Sequence, residues 1–125
     1  MEDFSLVLKE ILKKDVEKIK IELSPHLKEE FEKTAEAYIR RGLVLEAIKT
    51  LALTKSTEKL IKIGKNCLAT SEVDFAFKAF YFAKDKEGLN KTGIEYLRKA
   101  EIQNALLSFK LAENTEMIDF IETNF

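Results

Sequence analysis

Proline occurs once and glycine four times in 125 residues, so the chain has little of the material from which β-turns and hairpins are made. Repeated strands need such turns at short intervals, and no strand is expected. Cys67 is the only cysteine, which excludes an internal disulfide; with no cleavable signal segment at the start, a reducing, cytoplasmic setting is the expectation. His26 is the only histidine. One Cys and one His cannot build a Cys/His metal cluster, and a Ser–His–Asp arrangement would have only His26 to use. A glycine-rich phosphate loop is absent as well, so no cofactor and no catalytic residue is expected. Apolar runs stay far below the roughly 20 residues that cross a bilayer, which argues against membrane insertion. There is no excess of charge either: 21 basic residues meet 22 acidic ones, and this balance disfavours general attraction to nucleic acid.

What the chain has is apolar residues, 46% of the total, at helical spacing. Phe4, Leu8, Ile11, Leu12, Val16 and Ile19 recur every three or four positions and predict an amphipathic helix over about residues 2–21. Ser24 and Pro25 then form a helix start, and the next stripe, Leu27, Phe31, Ala35, Tyr38 and Ile39, ends near Gly42. From here a shift of 29 residues superposes the sequence on itself. Phe31, Leu60, Leu89 and Ile118 share one phase; Ala35, Gly64 and Gly93 another; then Tyr38, Cys67 and Tyr96; Ala47, Ala76 and Ala105; and Leu51, Phe80 and Phe109. Such a period is what stacked helical hairpins require, because each pair must bury its face against the next. Ser56, Asp85 and Asn114 mark later helix starts as capping acceptors, each with Glu58, Glu87 or Glu116 two places on. The second helices are expected at 44–54, 73–84 and 102–113, and a last helix from 115. One domain over 1–125 follows, with an N-terminal helix (1–23), hairpins at 24–56, 57–85 and 86–114, and a C-terminal helix (115–125).

The spacing within each unit resembles the tetratricopeptide repeat, which places a large apolar residue, a small one, an aromatic, and then Ala and a large residue in the second helix. The second copy reads Leu60, Ile63, Gly64, Cys67, Ala76, Phe80 and Ala83; the third reads Leu89, Thr92, Gly93, Tyr96, Ala105, Phe109 and Ala112. The units are shorter than the roughly 34 residues of that family and lack its proline. Shortened pairs are also similar to those of clathrin and coatomer-type coat subunits. The resemblance implies an all-α, right-handed α-solenoid of antiparallel hairpins, about eight helices in all, and a non-catalytic module that binds a peptide or helix of a partner protein. The alternative is a structural subunit of a homo-oligomer or coat-like assembly. Gly64 and Gly93 fall where the helices of a pair cross; Leu at 64 should force them apart, and Ala should be tolerated better.

Cys67 shares its phase with two tyrosines and reads as core rather than nucleophile. In the repeat family the first helix of each pair lines the concave surface. The candidate partner-binding residues there are Glu29, Glu32, Glu36 and Arg40, then Ile61 and Lys65, then Asn90, Ile94 and Arg98. The acidic excess along these helices suggests a basic or amphipathic peptide. Five aromatics crowd 75–82, too many for one stripe, and Phe75 is the one out of phase with the core, placed either against an adjacent unit or as a candidate contact with a partner chain. In the last helix Met117, Phe120 and Phe125 cannot all share the stripe of Ile118 and Ile121, which points to a partner contact or a homodimer through this end, with Met117 and Phe120 as its residues.

Overall fold

A computed structural model describes residues 22–125. The helix expected over 2–21 lies outside them. The described residues form seven helices and no strand: α1 Pro25–Arg40, α2 Val44–Leu53, α3 Thr57–Ala69, α4 Val73–Ala83, α5 Lys86–Arg98, α6 Ile102–Leu111 and α7 Thr115–Asn124. Two compact units divide the chain, one ending at Lys59 and the other running from Leu60 to Phe125.

The connections are short because every helix from α1 to α6 is closed by the same turn. In α1 the N–H of Gly42 donates to the carbonyl of Ile39 at 3.0 Å and the N–H of Leu43 to that of Tyr38 at 2.8 Å. This paired pattern satisfies the last carbonyls of a helix and needs a left-handed residue just beyond it. Gly42 supplies that residue at φ +77°. One and two repeats later the same place is held by Ser71 and Ala100, at φ +63° and +60°. The second helices end likewise on Lys55, Lys84 and Glu113, at φ +55° to +57°. Only one of six left-handed positions is a glycine, so composition hid a regularity that the backbone keeps.

In the first unit Phe31, Ala35 and Tyr38 of α1 are buried, as are Ala47, Ile48 and Leu51 of α2. Thr50 is fully buried beside them, its hydroxyl donating to the Glu46 carbonyl at 2.7 Å. Thr92 and Ser108 of the second unit are buried in the same way, bonded to the carbonyls of Gly88 and Asn104. A hydroxyl that bonds back to the preceding turn can be buried without an orphaned donor.

The core of the second unit is set by two rings. Phe80 of α4 and Phe109 of α6 are fully buried. A Cβ on Gly64 would stand 2.6 Å from the Phe80 ring, and one on Gly88 2.1 Å from it. The Phe80 ring therefore lies against bare backbone of α3 and of α5. Phe109 meets Gly93 in the same manner, at 2.8 Å from a notional Cβ. These distances give Ala at 64 a cost of its own, smaller than that of Leu: Ala35 is possible in the first pair because Leu51 stands at the phase of Phe80, whereas a buried ring at van der Waals contact leaves no room for a methyl group. Gly88, which belongs to no repeat phase read from the sequence, has the closest approach of all.

Val73, Tyr96, Ala105, Phe109 and Ile121 form a buried cluster, with Phe77, Met117 and Ile118 packed on it. Cys67 is buried with a free thiol, and burial, reinforced by the charge of Glu72, pushes that thiol up from its ordinary value. His26 is exposed.

Candidate docking surface

The solvent-facing sides of the first helices of each pair are built from positions between the buried stripes, and the repeat allows them to be compared. On α1 the acidic residues are engaged within the chain. Glu29 lies 3.7 Å from the Lys33 ammonium, and Glu36 lies 3.5 Å from that of Lys59. Glu32 is half-buried, and its carboxylate accepts the Ser56 hydroxyl at 2.6 Å. Thr54 Oγ1 stands 2.6 Å from Ser56 Oγ and donates to the Leu51 carbonyl at 3.1 Å. Arg40 is exposed in the last turn.

A related tie closes the third pair. Asn114 Nδ2 donates to Asn90 Oδ1 at 3.0 Å, and Asn114 Oδ1 caps α7 by accepting the N–H of Met117 at 3.2 Å. Glu32 with Ser56 and Asn90 with Asn114 are both 24 residues apart and occupy equivalent repeat positions. At the second copy those positions hold Ile61 and Asp85. The half-buried Ile61 has nothing to offer, and Asp85 makes no side-chain capping bond, contrary to expectation. Its backbone is set by the turn, where its N–H donates to the Phe80 carbonyl at 3.0 Å, but nothing orients its carboxylate over the helix end. The Ser56 hydroxyl donates to Glu32. Asn114 caps its helix as expected and Asp85 does not. Two of the functional candidates, Glu32 and Asn90, thus also make ties within the chain, between polar residues at a common spacing of 24.

On α3 and α5, Lys65, Ile94 and Arg98 are exposed. Each acidic residue of the α5 face has a basic partner one turn away: Glu87 pairs with Lys91 at 3.3 Å, and Glu95 with Arg98. At the start of this helix Lys86 bonds Glu113 at 2.7 Å and holds that carboxyl below its usual range. Ile94, 42% exposed, interrupts this charged face at the position that Glu36 and Lys65 hold in the earlier pairs.

On α7 the apolar residues separate. Met117 and Ile118 pack on the core cluster and Ile121 is buried within it. Phe120 remains 49% exposed and Phe125 73% exposed, with their rings edge to face at 6.5 Å. Of the two candidates read at this end, Met117 is held against the core and Phe120 faces solvent. Phe120 stands at the phase of Lys33, Lys62 and Lys91, all exposed. An aromatic replaces a lysine here at a position that the repeat keeps outside.

Phe75 is half-buried on the wall of a cleft of about 350 Å³ in the second unit, beside Glu72, Asp74, Lys78, Lys99 and Glu101. Charges of both signs line it. Asp74 is committed to Tyr96, whose buried hydroxyl donates to it at 2.7 Å; burial, this bond and the carboxylate charge all raise the Tyr96 phenol above its ordinary range. Among the described residues no group of three or more His, Cys, Asp or Glu could hold a metal ion, and no helix is long and apolar enough to cross a membrane. No family model, curated protein or solved structure matches the chain.

Proposed function

We propose that the chain is a right-handed solenoid of tetratricopeptide-like hairpins that works in the cytoplasm as a non-catalytic interaction module, binding a peptide or helix of a partner protein on its first-helix faces. The observation that carries this reading is the exposure of Ile94 and Phe120 at repeat positions that earlier copies fill with charged residues. An isolated exposed apolar residue needs no explanation. Here the repeat supplies the control: the same backbone position accepts Lys or Glu in other copies, so packing does not demand Ile or Phe. Contact with another chain does, since large apolar and aromatic side chains dominate interface energetics. The test is capture of partners from the native lysate by the whole chain, set beside the doubly substituted Ile94→Asp, Phe120→Asp chain. Captured proteins should be lost with that variant while its helix content is unchanged; an identical captured set overturns the proposal.

A further inference from the structure

We infer that the α7 side of this surface takes an amphipathic helix carrying lysine or arginine beside its apolar stripe, rather than a second copy of the chain. The inference rests on the reading of the chain as an interaction module and adds the chemistry of the partner.

Two neighbouring helices differ in how their charges are paired. The Asn90–Asn114 and Lys86–Glu113 bonds join α5 to the start of α7. On α5 acids and bases pair internally, as Glu87 with Lys91 and Glu95 with Arg98. From Leu111 to Phe125 there is no Lys or Arg, while Glu113, Glu116, Asp119 and Glu122 are all present and exposed. Lys86 takes up Glu113. Among the described residues Glu116, Asp119 and Glu122 have no basic partner, all on the helix that carries the exposed Phe120 ring, and Phe125 props that ring from the side. A helix of 10 residues is about 15 Å long, enough to seat about three turns of a partner helix. Such a partner would cover Phe120 with its apolar stripe and bring its ammonium or guanidinium groups against Glu116 and Asp119, the two carboxylates that flank the ring on the helix surface. A second copy docking face to face through Phe120 would instead oppose these carboxylates with their own kind, and like charges set together select against that pairing.

The probe is a synthetic helical peptide of about four turns, leucine along one face and lysine flanking it, compared with the same peptide flanked by glutamate. Binding to the full chain is read by fluorescence anisotropy at low and raised salt. The lysine peptide should bind, weaken as salt rises, and lose about tenfold in affinity to Phe120→Ala. The Glu116→Gln, Asp119→Asn variant should weaken binding about tenfold and flatten the salt dependence. Because Glu116 also sits in the first turn of α7, Asp119→Asn alone serves as a second variant, with helix content checked by circular dichroism. Equal binding of the two peptides, or binding indifferent to Phe120→Ala and Asp119→Asn, overturns the inference. So does self-association in sedimentation equilibrium that Phe120→Ala abolishes, since the occupant is then a second copy. If the lysine peptide fails while substitution of Ile94 and Phe120 still strips captured proteins, this inference falls and the interaction module stands; if capture is also indifferent, both fall.

Discussion

Ala100 sits at φ +60°, a conformation that costs an L-residue energy because its Cβ crowds the following carbonyl. Ala100→Gly should therefore stabilise the chain by about 1 kcal/mol, the reverse of what the same exchange does in a helix interior, and urea denaturation will measure it. A loss of stability would mean that the turn is not left-handed in solution. Tyr96 gives a prediction in pH. Its folded phenol ionises at higher pH than an unfolded tyrosine, so the fold binds that proton more tightly. The contribution is fully present below the unfolded value near 10 and is lost as pH climbs from there towards the folded value. Tyr96→Phe should flatten the fall in stability above about pH 10; a profile of unchanged slope would show that Asp74 and burial do not act on this proton. The left-handed residues also mark where sequence reading stops. Gly42 was legible because glycine announces such a turn, whereas Ser71, Lys84 and Ala100 adopt it under the pressure of the helices on either side and carry no local signature.

At the scale of the helix, the period of 29 residues located α1 to α7 within two residues at each expected boundary. Burial follows the shared phases because a hairpin has only one face to hide. What the period could not supply was the pairing across helices. Gly64 was legible as a close crossing, but its partner ring was not, and Gly88 belonged to no phase at all. Gly64→Ala should destabilise the chain by about 1–3 kcal/mol, as overpacking does. Combined with Phe80→Leu, which copies the Ala35 and Leu51 of the first pair, its cost should shrink; a double-mutant cycle with no coupling would refute the ring-on-backbone contact. The ties tell the same story among polar groups. Asn114→Ala removes a cap and a cross-helix bond and should cost about 1–2 kcal/mol, while Asp85→Ala, which removes neither, should cost well under that by thermal melting. Equal losses would mean that Asp85 caps its helix after all. Ser56 and Asn114 were legible as caps and Glu32 and Asn90 as outward-facing polar residues, but not the bonds between them, since spacing gives a position without saying whether a side chain turns inward or out.

Over the whole molecule the two signs of charge nearly cancel, and the ion pairs joining Lys33 to Glu29, Lys59 to Glu36 and Lys91 to Glu87 involve side chains about half exposed or more. Pairs of that kind contribute little and are screened. Raising salt to about 1 M should change unfolding free energy by less than about 1 kcal/mol, and a larger fall would assign the surface charges a structural weight that their exposure denies. Stability must come instead from the apolar contacts, and one of them has a consequence for how the second unit comes apart. The Phe80 ring is wall to two helices at once, filling the gap left by Gly64 on α3 and by Gly88 on α5. Neither helix can leave without uncovering the ring for the other. The free energy of that contact is therefore shared between the two helices and not a property of either, so the second unit should come apart as one body instead of fraying helix by helix.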